Sequence, residues 1–212
     1  VSGVTGSAAP DGRDAGPFGP WMRSMLAVLR GEPGATVDVP CDGCTACCES
    51  SQFVLVEPDE HAARSLIPAE LLFPAPGAPR GYSVLPYDQH GRCPMLGSQG
   101  CLIYEHRPRT CRAYDCRVLA AADVDPGPDK PAIGRRVSEW RFAVDGPDDE
   151  AALAAVRSAA AFLGEHGDEL PGGTPPPTQL AAMALEAHGL FVGGGSPGAD
   201  EVVVELRRRV ED

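Results

Sequence analysis

The chain has 212 residues, 43% apolar and only 6% aromatic, with a formal net charge of -12; that length holds one domain with a core, or a domain and a small appendage. No apolar run approaches the roughly 18 residues of a membrane span, and an acidic chain repels nucleic acid and anionic membranes at long range, so neither is expected as a partner. With 25 Gly and 22 Pro much of the chain is loop, and the start VSGVTGSAAPDGRDAG, which has neither the basic nor the apolar region of a secretory signal, reads as that of a cytoplasmic protein.

Residues 1–16 are Gly/Ala/Ser/Asp-rich and aperiodic, as in a disordered tail. Trp21, Met22, Met25, Leu26 and Leu29 recur at helical spacing, and Gly31 follows as a stop. ATVDVP (35–40) predicts a short strand leading into Cys41. FVLVEPDEHAARSL (53–66) predicts a strand and then a helix whose first turn carries Asp59 and Glu60. Pro74, Pro76 and Pro79 mark a loop, and GYSVLPYDQHGRCPML (81–96) a hairpin turning near His90-Gly91. Pro108 fits the first turn of a helix carrying TCRAYDCRVLAAA (110–122). DVDPGPDKP (123–131) is a loop and RRVSEWRFAV (135–144) a strand candidate. Residues 148–167 form an acid-capped, alanine-rich helix ended by Gly167, and TQLAAMALEAHGLF (178–191) a second one. EVVVELRRRV (201–210) suits either strand or helix. The expected organisation is a tail (1–16), a loop-rich cysteine-cluster metal-binding domain (17–145) and a helical extension (146–212) packed on it, an α+β fold.

All eight cysteines fall within 41–116, and in a reducing compartment clustered thiols point to metal or catalysis before disulfides. In CDGCTACC (41–48), Cys41, Cys44 and Cys47 wrap three sulfurs around one centre, as the C-x2-C-x2-C run of bacterial ferredoxins does. Gly43 and Thr45-Ala46 keep the loop small, so backbone N–H groups can approach sulfur. Cys48 is the odd member. Successive side chains diverge, so Cys47 and Cys48 do not readily share one mononuclear ion, and the adjacent pair points to two centres or a polynuclear cluster. Downstream, Cys93-Pro94 is similar to the Cys-Pro that completes ferredoxin-type sets, and Cys101 follows a tight SQG turn. Cys111 and Cys116 would lie about 140° apart on a helix unless it breaks between them. Two four-sulfur sites are one arrangement, for instance Cys41, Cys44, Cys47 and Cys93 beside Cys48, Cys101, Cys111 and Cys116. If the cysteines serve metals, their sulfurs should gather into one or two groups with separations of roughly 3.5–6.5 Å, set by metal–sulfur bonds near 2.3 Å.

CDGCTACC followed by GRCPMLGSQGCLIYEHRPRTCRAYDC (91–116) resembles the YkgJ-type cysteine-cluster family, described as zinc- or iron-chelating proteins. All eight cysteines match its pattern, together with Ile103, Tyr104, Arg107, Pro108 and Arg112, over about 41–116. The resemblance implies metal chelation by Cys41, Cys44, Cys47, Cys48, Cys93, Cys101, Cys111 and Cys116. The flagellin lysine N-methylases resemble the same motif and are thought to carry an iron–sulfur cluster, although residues 130–212 show no motif assignable to such a methylase. All-cysteine ligation suits iron–sulfur clusters and zinc alike. The ferredoxin-like triplet and the adjacent pair favour an iron–sulfur cluster, 4Fe–4S first; zinc, which usually takes two separated C-x2-C knuckles, is the alternative.

Arg92, Arg107, Arg109, Arg112 and Arg117 crowd the downstream cysteines. Guanidiniums beside an all-thiolate centre would raise its potential and keep the thiolates deprotonated, while ion pairs with Glu105 and Asp115 account equally well for Arg109 and Arg117. The family match tilts Arg107 and Arg112 toward supporting the site, while Tyr104 and Tyr114 suit shielding a cluster from water and ordinary core packing equally. The leading function is a structural or redox metal centre. Beside it stand a cluster-dependent protein-modifying enzyme and a zinc-stabilised module whose acidic surface docks a basic protein partner.

Overall fold

The computed structural model describes residues 12–211 except Asp38, Cys41, Asp42, Ser51, Gln52 and Pro171. Along the described chain the elements are β1 (Arg13–Pro17), α1 (Phe18–Leu29), β2 (Val54–Val56), α2 (His61–Leu66), β3 (Phe73–Pro74), β4 (Ser83–Leu85), β5 (Leu96–Gly97) and β6 (Gly100–Cys101). They continue as α3 (Arg109–Ala113), α4 (Arg117–Ala122), α5 (Pro131–Glu139), β7 (Trp140–Ala143), α6 (Pro147–Glu165), α7 (Pro177–Ala187) and α8 (Ala199–Glu211). With about 49% helix and 11% strand, in helices and small separate sheets, the fold is α+β.

The described residues fall into two compact units. One is built from 12–37, Cys116–Pro126 and 135–211, the other from 39–115 and Gly127–Gly134.

In the first unit, α4 packs against both α6 and α7, and α1 against α7. Small residues make this close approach feasible: Ala155, Ala159, Ala181, Ala184 and Ala187 are all buried, with Leu119, Leu163 and Leu185 filling the space between. Pro147 opens α6 and three acidic residues follow in its first turn, where the helix dipole favours them. Asp149 also accepts the Gly19 N–H at 3.2 Å. A Cβ at Gly19 would collide with the Asp149 carboxylate, so a larger residue there would push that side chain off the Gly19 N–H.

Part of the expected tail is structured. Arg13–Pro17 is β1, paired in parallel with β7; residues 1–11 lie outside the described residues. Its partner is more than a hundred residues away, which local composition cannot reveal. Phe18, Trp21 and Phe142 form an aromatic group beside this sheet, with Trp21 and Phe142 centroids 4.6 Å apart. Arg117 is buried here, donating to the Ala15 carbonyl at 3.0 Å, with its guanidinium 5.9 Å from the Trp21 ring. Its role is to tie β1 to α4.

Several other expectations shift. The described residues of 35–40 form no strand. The strand read over 135–144 is only Trp140–Ala143. The residues before it complete α5, because Pro131 starts a helix and only β7 finds a pairing partner. The single helix read after Pro108 is two, α3 and α4, broken at 114–116. Residues 201–210 are helical, within α8.

In the second unit, β2, β4 and β3 make an antiparallel sheet in that order, with Val54 opposite Leu85 and Phe73 opposite Val84. Val54, Val56, Ile67, Leu85, Met95 and Ile103 form its core. The turn near His90-Gly91 exists, but it closes on itself without joining two strands. The Asp88 carboxylate accepts the N–H groups of His90 and Arg92, and Gly91 takes a positive φ of 71°, a conformation suited to glycine. Helix α3 docks on β2, Thr110 Oγ1 donating to the Leu55 carbonyl at 3.0 Å. Arg109 pairs with Glu57 and Asp59, so it serves as a tether of α3, the plainer of its two sequence readings.

Candidate metal centre

Short, tightly bonded segments position the cysteines of the second unit. Residues 46–49 form a 3₁₀ turn that carries Cys47 and Cys48; it is closed by Cys48 N–H to the Thr45 carbonyl at 2.8 Å and by Thr45 Oγ1 to Glu49 at 2.6 Å. Two hydrogen bonds hold this turn to the segment ending at Cys93. The Tyr87 hydroxyl donates to the Cys47 carbonyl at 2.7 Å, and the Cys93 N–H to the Cys48 carbonyl at 2.8 Å. Ser50 Oγ gives the Cys47 carbonyl a second donor at 2.8 Å. Cys101 sits on β6, opposite Leu96, at the end of a two-residue turn. Cys111 is on α3, its N–H bonded to the Pro108 carbonyl at 2.9 Å.

These segments bring five sulfurs into one neighbourhood. Cys93 is buried among the core residues, with Cys48, Cys101 and Cys111 packed against that core. Cys47, Cys48, Cys93, Cys101 and Cys111 act electrostatically on one another, so members of both four-sulfur sets weighed from the sequence occur together. Cys47 and Cys48, adjacent in the 3₁₀ turn, strongly influence each other's ionisation. Among the described residues no three His, Cys, Asp or Glu side chains are disposed to hold an ion.

The sulfurs differ in charge state. Cys47 is lowered to about 7, first because Cys48 donates to it, then because its own N–H and that of Cys48 point at it and Arg107 is near. Cys48, as the donor of that bond and also buried, is pushed far upward. Burial, with the negative charge of the other sulfurs, raises Cys111 to about 12; burial also raises Cys93. The Tyr87 hydroxyl rises through burial and the surrounding sulfurs. The thiolate is thus favoured at Cys47 and disfavoured by burial at Cys48, Cys93 and Cys111.

The remaining candidates divide. The Arg107 guanidinium lies 3.8 Å from the centroid of the Tyr104 ring and its charge acts on Cys47 and Cys111. Arg107 Nε is buried with no hydrogen-bond partner among the described residues. Tyr104 itself is half exposed. Arg112 pairs with Glu60 at 3.8 Å. Cys44 is half-buried, Cys116 belongs to the other compact unit, and Cys41 lies outside the described residues. None of the seven described cysteines is in a disulfide.

Tyr87 and Ser50 were not among the sequence candidates. Nothing in their spacing marks them, because their role is to hold a main-chain carbonyl. We expect Tyr87→Phe to cost about 1 kcal/mol, the worth of one hydrogen bond, and Tyr87→Phe with Ser50→Ala to cost more than the two single changes added. Urea denaturation of the four proteins measures this; strict additivity would mean that the two donors do not share the task.

Residues 40–126 match the CxxCxxCC family, described as a "putative zinc- or iron-chelating domain". That span is less than half of the chain and contains all eight cysteines. No curated protein and no solved structure matches the chain significantly.

The donor type fits such a metal, although no three of the described side chains form a ready-made cage. Thiol ligands suit a soft or borderline cation. A buried N–H without an acceptor, on Arg107, suits a charged sulfur or sulfide beside it.

Proposed function

We propose that the cysteines from Cys41 to Cys116 hold an iron–sulfur cluster, 4Fe–4S first, in a structural or redox role in the cytoplasm, with zinc as the competing occupant. The observation that carries this is the group of five sulfurs, four of them in or against one small core, next to a buried arginine N–H that lacks an acceptor among the described residues. Cys47, Cys48, Cys93, Cys101 and Cys111 are the ligands favoured by their mutual proximity; Cys41, Cys44 and Cys116 join them on the motif.

A cluster would supply one-electron transfer, whereas zinc would supply a fixed cross-link. The polypeptide's part is the same for both. The core around Cys93 keeps water from the sulfurs. The Tyr87 and Ser50 hydroxyls fix the carbonyl of the CxxCC turn. Arg107 offsets negative charge at Cys47 and Cys111. Arg112 and Tyr104 act more remotely, Arg112 from its pair with Glu60 and Tyr104 by holding Arg107 against its ring.

Anaerobic purification followed by absorption spectroscopy and iron, sulfide and zinc analysis tests the reading. Iron and sulfide in equal amounts with a broad visible absorption are expected. Stoichiometric zinc without colour would replace the cluster by zinc, and protein free of all three after reconstitution would sink both.

A further inference from the structure

We infer that Glu60, which is no part of the cysteine motif, is a positioning residue of the metal centre, clamping the start of α3 and through it the sulfur of Cys111. The inference rests on the metal-centre reading of the cysteines, and every residue it uses lies in the second compact unit.

The Glu60 side chain is only 6% exposed, and a carboxylate that buried needs partners for both oxygens. It finds them on two separate stretches of chain. One oxygen accepts the Glu57 N–H at 2.9 Å, closing the turn after β2, and the other accepts the Arg109 N–H at the first residue of α3. That N–H has no acceptor within its own helix. Arg112 adds its guanidinium at 3.8 Å. Glu60 is itself anchored, since its carbonyl accepts the Arg64 N–H of α2 at 3.0 Å. Helix α3 has five residues, too few to hold together alone, so its placement depends on such ties. Thr110 ties the next residue to the Leu55 carbonyl. Arg109 and Thr110 are thus pinned in succession, and Cys111 follows directly, packed against the core that buries Cys93. A carboxylate accepts at both oxygens, whereas a glutamine amide offers only one acceptor. A ligand held this way is oriented before the ion arrives, which is how groups behind the ligands raise metal affinity.

Anaerobically purified full chain, carrying its iron or zinc, is challenged with EDTA. Metal release is followed together with iodoacetamide labelling of each cysteine, read by peptide mass spectrometry. Glu60→Ala is expected to release metal about tenfold faster, in the range usual for the loss of a group that supports a ligand. Cys111 is expected to be labelled ahead of Cys47, Cys48, Cys93 and Cys101, an order that a general loosening of the unit would not produce. Should Glu60→Ala not fold, Glu60→Gln, which keeps an acceptor for one of the two N–H groups, takes its place, with a smaller rise in release and the same order of labelling. Unchanged release, or faster release with all five cysteines labelled together, overturns the inference and leaves the metal-centre reading intact, because metal is held at the start. An unaltered protein that holds no metal ends both.

Discussion

Stripping the metal, or replacing Cys93 with serine, should loosen the unit containing β2, β4 and α3 while α6 and α7 keep their protected amides. Cys93 is buried in the small core of that unit, its N–H holding the Cys48 carbonyl. The core is only a handful of aliphatic side chains under a three-stranded sheet, and between Ile67 and Cys101 the chain contributes mostly loops and very short strands. Structural zinc contributes on the order of 10 kcal/mol to small domains. If this centre supplies even about 3 kcal/mol, amides of β2 and β4 should exchange about a hundredfold faster without it, at 1.4 kcal/mol per tenfold. Helices α6 and α7 have their own core around Leu163 and Leu185 and should be nearly unmoved. Hydrogen exchange followed by mass spectrometry, on loaded and chelated protein and on Cys93→Ser, measures this. Equal protection in all three would mean that the cysteines contribute nothing to folding.

The second large effect is on reduction potential. Arg107→Gln should lower it by tens of millivolts, because a cation beside a cluster favours the reduced, more negative state; a differential of 1.4 kcal/mol corresponds to about 59 mV for one electron. Arg112→Gln should do less, since that guanidinium is already engaged with Glu60 and its charge is half-solvated. The sequence treats the two arginines alike; their surroundings do not. A spectroscopic redox titration of the three proteins after anaerobic reconstitution decides. Equal shifts would remove the special place given to Arg107, and the absence of any reducible chromophore would mean that the occupant is zinc, on which the same substitution acts only through affinity.

What was legible in the chain was the chemistry and the locally encoded helices. CDGCTACC and the downstream cysteines mark a metal domain over 41–116, and the family match spans 40–126. Helices α6 and α7 are plain in the sequence because their alanines and leucines recur at 3.6-residue spacing with acids or prolines at the start. What was not legible depends on distant partners. Strand β1 looks like a tail until β7 pairs with it, and α5 hides in front of a strand because only the residues from Trp140 have a neighbour to bond. The break between Cys111 and Cys116 was foreseen as a condition, not placed. Tyr87 and Ser50 were out of reach altogether, since nothing in an isolated Tyr or Ser says which carbonyl it will meet.

The parallel pairing of β1 with β7 also has a consequence in time. During synthesis the segment from Cys44 to Cys111 emerges from the ribosome ahead of Trp140–Ala143, so β1 waits with no strand to join. Domains tend to fold as they emerge, and most of the cysteine-bearing unit can fold before β1 and β7 are able to pair. A nascent chain that has emerged only to about residue 122 should therefore already retain metal on most of its thiols, before β1 has a strand to join.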